Sequence, residues 1–353
     1  MTQKDGACRI YVYRAGLCSP LGASFAECAQ SYTAGKRNFR RNPHVAGIDG
    51  MPVTLGEVYP YETLRDYPER MLRLSSAALD DLAAGTELPK RTEFHVLLEP
   101  WVQQSPIANE IRVSVGLAGR QLCKQGQYVH YGQQAEALNL IGKAATWISE
   151  GKTEAIIVGS VASSFEASVL DAMAISGRIK SRLNDYGGFP SEAGAYLLIS
   201  TSRAFAGKQP IAEILGSFTA REDEHPHAPQ TIVGRGLAQA LRQATKAAEP
   251  NRLMSDATGE RWRAEELGFA LSAVGPTVSR VADDIEAPCL YLGDCGAALG
   301  ATLPILALTA PPARKGAAPV SCQGVTLICA SSPDGARTVL AMNVFPHEEQ
   351  THG

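Results

Sequence analysis

Two turns in this chain present polar or reactive side chains at the start of a helix. "YGQQAEALNL" sets the pair Gln133–Gln134 in a tight turn that opens an amphipathic helix, a place where α/β enzymes often hold a nucleophile. "LGDCGAALG" puts Asp294 and Cys295 directly ahead of a long apolar helix, and "MSDATGE" carries Asp256 and Thr258. A cysteine at a helix N-terminus is a candidate nucleophile, because the helix dipole and unpaired N–H groups favour a thiolate. Two carboxylates brought together acquire split pKa values and can do acid–base work. Each residue also has a structural reading. Asp294 suits an N-cap, either aspartate suits an ion pair with Arg261 or Arg263, and Cys295 suits a buried, inert thiol. Gln134 suits a cap or a filler of its turn. His130, four residues before Gln134, reads as a structural histidine ending a strand. The structural readings are favoured throughout.

With 353 residues the chain can bury a large core, as one domain or two fused halves. Its net charge is −3 and it has no basic block, which argues against nucleic acid or an anionic membrane as main partner. No segment approaches the roughly 18–20 apolar residues of a spanning helix, and the opening "MTQKDGACRIYVYRAG" has no apolar run long enough for a signal peptide. None of the eight cysteines forms a CxxC, and no histidine sits at metal-ligand spacing from one. A reduced, cytoplasmic protein without metal or cofactor is expected.

Short β-rich runs alternate with helical patterns, the mark of α/β packing. "EAIIVGS" is a continuous apolar run of the kind buried on both faces in a central strand. In the helix before it, Leu138, Ile141, Ala145 and Ile148 recur at helical spacing, and Gly151 closes it. "FHVLLEP" is a short strand ended by Pro100, and "EAGAYLLIS" another strand. After "RAFAGKQP" the same grammar restarts, which suggests two successive halves, 1–205 and 206–353. Residues 222–230 read as a solvated loop and the C-terminus as a frayed tail.

The ordered landmarks resemble the thiolase fold, specifically the β-ketoacyl synthases. "GLCSPLGASFAECAQSYTAGKRNF" looks like that family's opening turn and helix, and "AATWISEGKTEAIIVGS" is similar to the helix and strand after its nucleophile. "GGFPSEAGAYLLI" resembles a family strand with Glu192 at the matching acid, and "LGDCGAALGATLPILAL" resembles the loop-helix that carries a catalytic histidine. The resemblance implies two pseudo-duplicated α/β halves in a layered α-β-α-β-α arrangement. It also implies a dimer built along a sheet edge, which it places at "EAIIVGS".

Matched residue by residue, the resemblance puts Gln134 at the nucleophilic cysteine and Asp256 and Asp294 at the two histidines. Cys289 falls at the family's lysine, and "ASSPDGA" replaces its glycine-rich loop. Glutamine forms no acyl-thioester, and an ionised aspartate repels a developing oxyanion. The expected function is therefore a catalytically degenerate ketosynthase-like protein, a non-catalytic subunit or protein-binding scaffold. It would form a homodimer, or a heterodimer with a synthase-like subunit, and acyl-carrier protein is a further candidate partner. Glu192, Thr258, Cys295 and His130 would line a vestigial pocket, with Glu192 bonding N–H groups of its turn. The alternative is an acyltransferase or hydrolase that uses Asp256 and Asp294 as acid and base. "GRIKSRLNDYGGFPSEAGAYLLI" and "DATGERWRAEELGFA" also resemble short synthase-like proteins from type VI secretion neighbourhoods.

Overall fold

The computed structural model describes residues 8–58, 66–123, 126–202, 205, 209–223, 233–313 and 321–346. Its strands are β1 (Ile10–Cys18), β2 (Arg40–Ala46), β3 (Pro52–Leu55), β4 (Thr92–Leu98), β5 (Gln127–Tyr131) and β6 (Ala155–Ser163). They continue with β7 (Glu192–Ser200), β8 (Ala212–Arg221), β9 (Arg252–Ser255), β10 (Ile285–Glu286), β11 (Gly324–Ser331) and β12 (Ala336–Val344). The helices of the first half are α1 (Phe25–Thr33), α2 (Tyr67–Ala83), α3 (Pro100–Gln104), α4 (Ala108–Arg120), α5 (Gln134–Ser149) and α6 (Ala167–Ile175). The second half has α7 (Arg235–Ala247), α8 (Arg261–Val274), α9 (Pro276–Ala282), α10 (Cys289–Leu292) and α11 (Leu299–Ala307). Most of the 222–230 loop, the C-terminal tail from 347 on and most of the "RAFAGKQP" turn lie outside the described residues.

The large sheet runs β10-β9-β11-β12-β8-β1-β7-β6-β4-β5. Outward from the central pair, each half repeats one pattern. β1 and β8 each meet an antiparallel neighbour, β7 or β12, which meets another antiparallel strand, β6 or β11. Two parallel strands follow on each side, β4 and β5 or β9 and β10. The halves meet through the short β1/β8 ladder, Ile10–Val12 against Ala212–Ile214. The chain is thus two pseudo-duplicated α/β halves of thiolase fold.

Three helical layers cover the strands. α5 and α11 lie in the middle, sharing one core with β1, β6, β7, β8, β11 and β12. α2 and α4 cover the outer face of the first half, α7 and α8 that of the second. The predicted stripe of α5 is buried, but so are Ala135, Ala137, Leu140 and Ala144, because the layer encloses the helix on all sides. At Gly300 an added Cβ would lie 2.2 Å from the Gln134 carbonyl oxygen, so only glycine lets α11 touch the first turn of α5. "FHVLLEP" is β4, though its Pro100 starts α3 rather than a loop, consistent with proline's tolerance at the first helical turn.

The expected dimer edge is corrected. β6, the "EAIIVGS" strand, is paired on both sides, to β4 and to β7, and all nine of its residues are buried. An unbroken apolar run marks a strand covered on both faces, and here its hydrogen-bonding edges are covered too. The open edge of the first half is β5, whose "QYVHY" is only partly covered. Tyr128 is 45% exposed there, and neighbouring α4 exposes Val113 and Leu117.

Candidate functional site

The first turn of α5 is tied down by its own Glu136 and by Ser332 from the loop after β11. Gln133 is the N-cap residue, and its N–H donates to Glu136 Oε2 at 3.0 Å. Ser332, from the "ASSPDGA" loop, donates to the same Glu136 carboxylate (2.8 Å) and accepts from the Ala135 N–H (3.0 Å). Glutamate thus already occupies the position where the helix dipole favours negative charge. Gln134 is buried and does not cap the helix: its amide donates to the Ser331 carbonyl at 3.2 Å.

From Ser331 a buried chain of charges runs to both aspartates. The Ser331 carbonyl also accepts from Arg263 Nη1, and the Ser331 N–H donates to Asp256 Oδ2 at 2.8 Å. Arg263 pairs with Asp256 (2.6 Å) and with Glu260 (2.9 Å). Glu260 accepts from Thr258 Oγ1 at 3.0 Å and pairs with Arg178 at 3.1 Å. Arg178 in turn holds Asp294 Oδ2 at 3.0 Å, while Asp294 Oδ1 accepts from the Gly296 N–H. Gln134, Asp256 and Asp294 are therefore brought into one network, with guanidinium groups between the carboxylates. Asp256 pairs with Arg263, but Arg261 is exposed and pairs with Glu265. Asp294 pairs with Arg178, a partner outside the predicted set. It is also not an N-cap: it closes a short turn ahead of the 3₁₀ segment Gly296–Ala298 that leads into α11.

The electrostatics follow from burial and pairing. Burial would raise Glu260, yet Arg263 and Arg178 hold it down at about 2. Burial pushes Asp256 above the usual carboxylate range, against the pull of Arg263 and the Ser331 N–H. Every carboxylate oxygen drawn into these pairs is already an acceptor, so neither aspartate is placed as a free base.

An open cleft of about 1280 Å³ lies against this network. Gln134, Glu99, Arg178, Glu260, Trp262 and Gly296 are on its walls, whereas Asp256, Asp294 and Thr258 lie behind them. The Glu99 carboxylate is raised by burial and bonded to Trp101 Nε1 at 2.9 Å. Glu99, Arg178 and Glu260 are the charged groups of the cleft wall nearest the network, beside Arg221, Arg261, Glu265 and Asp334 elsewhere on the cleft, and no sequence motif marked them. Arg178 and Glu260 stand inside segments quoted for their likeness, "GRIK" and "TGER", and a charged residue within each was the only available signal.

None of the four residues expected in the vestigial pocket lines the cleft: Thr258 lies behind its wall, and Cys295, Glu192 and His130 are placed elsewhere. Cys295 is fully buried, and burial pushes its thiol well up, so it is not a reactive nucleophile. Glu192 sits between the outer helix layer and β6, gripped by Arg70 Nε and Nη2, the Val58 N–H and Ser163 Oγ. It does bond a backbone N–H, but its main partner is a guanidinium that neutralises it. His130 is the fourth residue of β5 and points away from the cleft, with its Nε2 3.1 Å from His95 Nδ1. Glu93 holds the far side of His95, and Trp147 packs on both rings.

Burial, with His95 and Lys143 nearby, lowers His130 to about 4. An imidazole in the unfolded chain takes a proton near pH 6.5, before the folded one does. Stability from this source is complete above about pH 6.5 and is lost as the pH falls towards 4. Melting temperatures measured from pH 7 to 4.5 should fall less steeply for His130→Gln than for the wild type.

No family model matches the chain, and no curated protein matches it. Solved structures do. A ketosynthase of a type II polyketide synthase, solved with its acyl-carrier protein, aligns with TM-score 0.79 at 14% identity over 96% of this chain and 100% of that one. The ishigamide ketosynthase/chain length factor aligns with TM-score 0.72 at 18% identity, covering 96% and 100%. A ketosynthase in complex with its chain length factor from Xenorhabdus doucetiae aligns with TM-score 0.69 at 16% identity, covering 98% and 100%. The fold is that of a ketosynthase. Among the described residues, no helix of this ketosynthase fold is long and apolar enough to cross a membrane.

Proposed function

We propose that this chain is a catalytically silent ketosynthase-fold subunit whose work is to bind another protein. Its halves, 1–205 and 206–353, would act as one body that pairs along β5 with a second thiolase-fold chain. That chain is either another copy or an active synthase-like subunit in the cytoplasm. One observation carries the reading. Guanidinium-paired carboxylates occupy the positions that the resemblance matches to the two histidines, and at the start of α5 the N–H groups of Gln133 and Ala135 are already bonded to side chains. The pairing of ketosynthase with chain length factor in two of the similar structures supports a subunit role. The likeness to short synthase-like proteins of type VI secretion neighbourhoods supports a secretion component as the assembly's wider setting. The cleft would be the remnant of an acyl or acyl-carrier-protein groove.

Incubation with a panel of acyl-CoA and acyl-carrier-protein thioesters, followed by intact-mass analysis, should show no covalent adduct. Gln134→Cys should also remain unacylated, because its thiol would stand in the place of an amide that meets the Ser331 carbonyl, with no imidazole beside it. An adduct on the wild type that a single substitution abolishes would overturn the proposal. Thioester hydrolysis through Asp256 and Asp294 has no free carboxylate to start from, and the same panel should show none.

A further inference from the structure

Two of the chain's three tryptophans, Trp101 and Trp262, stand on the wall of the open cleft, and Tyr186 stands there with them. The third, Trp147, packs on the histidine rings of β4 and β5. Each ring on the cleft has a neighbour that orients it. Trp101 Nε1 donates to Glu99 at 2.9 Å, and its ring meets Tyr67 edge-on with centroids 5.4 Å apart. The buried Arg263 guanidinium covers Trp262 at 4.3 Å, and Arg261 lies 5.9 Å from the centre of the Tyr186 ring. Tyr186 nonetheless stays 60% exposed. Oriented rings offer large flat faces to a ligand at little cost in side-chain entropy.

The charges of the wall are mixed and largely matched. Glu99, Glu260, Glu265 and Asp334 share it with Arg178, Arg221 and Arg261. Arg178 is paired with Glu260 and Asp294, Arg261 with Glu265, and Arg221 donates to the Asp334 carbonyl at 2.8 Å. An anionic ligand would therefore meet carboxylates, with most of the guanidiniums already neutralised. An acyl chain would strip water from the same groups without replacing their hydrogen bonds, which is costly. Hydroxyl groups do replace them, because each both donates and accepts. Arg178 spends Nε and Nη2 on its carboxylates, so the N–H groups of Nη1 are left for such a partner.

We propose that this cleft binds a neutral glycan several sugar rings long. The C–H faces of the sugars would stack on Trp101, Trp262 and Tyr186, and their hydroxyls would bond to Glu99, Arg178 and Glu260. At about 1280 Å³ the cleft exceeds the roughly 300–1,000 Å³ of a small-molecule pocket, which favours an oligomer over a single ring. The inference rests on the silent reading, since a site that does no chemistry holds its ligand unchanged. The remnant groove would then have exchanged an acyl ligand for a sugar.

The test is calorimetric titration of the full chain with the neutral hexamers cellohexaose, maltohexaose and chitohexaose. Deacetylated chitohexaose supplies a cationic arm, hexagalacturonate an anionic arm and decanoyl-pantetheine an acyl arm. At least one neutral hexamer should bind saturably, with an affinity that changes little as salt rises. Trp101→Ala and Tyr186→Ala should each weaken that binding on the order of tenfold or more, whereas Trp147→Phe should leave it unchanged. Tyr186 is exposed, so its substitution keeps the test sound should Trp101→Ala fail to fold, and circular dichroism would show which variants fold. No binding by any neutral hexamer, binding by a charged or acyl arm alone, or indifference to both alanine substitutions would each overturn the proposal. Such a result, with no adduct in the thioester panel, removes this inference alone; an adduct there removes the silent reading beneath it.

Discussion

Replacing Arg263 by methionine is expected to lower the unfolding free energy by about 3–5 kcal/mol, the usual cost of stranding buried charges. Arg263 is buried and holds Asp256 at 2.6 Å and Glu260 at 2.9 Å, besides the Ser331 carbonyl. Without it, Asp256 keeps only the Ser331 N–H, and Glu260 keeps Arg178 and Thr258. Asp256→Asn retains an acceptor for that N–H and removes the stranded charge, so Arg263→Met/Asp256→Asn should recover part of the loss. Urea denaturation of the four proteins gives the coupling directly. A single-substitution loss below about 1 kcal/mol would mean that the pair is solvated, and the network could not then be what holds the cleft wall.

The second large effect concerns the open edge. Tyr128→Glu with Leu117→Glu is expected to weaken subunit pairing by at least ~100-fold, since two exposed apolar contacts would become like charges facing across an interface. Sedimentation velocity of the chain alone, and of the chain co-expressed with a synthase-like subunit, reads the outcome. Both substitutions lie on the surface, so the monomer should melt close to the wild type at matched subunit concentration. Unchanged pairing would remove β5 as the interface. It would leave β10, a two-residue strand at the other end of the sheet, as a poor substitute.

Stretches of regular structure were legible because a side-chain period survives in the chain order. The spacing of Leu138, Ile141, Ala145 and Ile148 predicts α5, and the unbroken "AIIV" run predicts a doubly buried β6. The likeness of ordered landmarks led to Gln134, Asp256 and Asp294, and the fold brings these into one network. Their partners were not legible. Arg178 meets Glu260 and Asp294 across 82 and 116 residues of chain, and Gln134 meets Ser331 across 197. The His95–His130 pair on β4 and β5 was likewise read as one isolated histidine.

The sequence by itself thus determined many of the elements and their order, because residue type and spacing act over a turn or two of chain, while only the resemblance matched Gln134, Asp256 and Asp294 to reactive positions. Only the tertiary structure decided which strand is left at the edge and which cations neutralise which carboxylates. It also decided that Thr258, Cys295, Glu192 and His130 stay out of the cleft lining. Those outcomes depend on hydrogen bonds and ion pairs closed between segments far apart in the chain, and their partners are chosen by the packing of all layers together rather than by any local pattern.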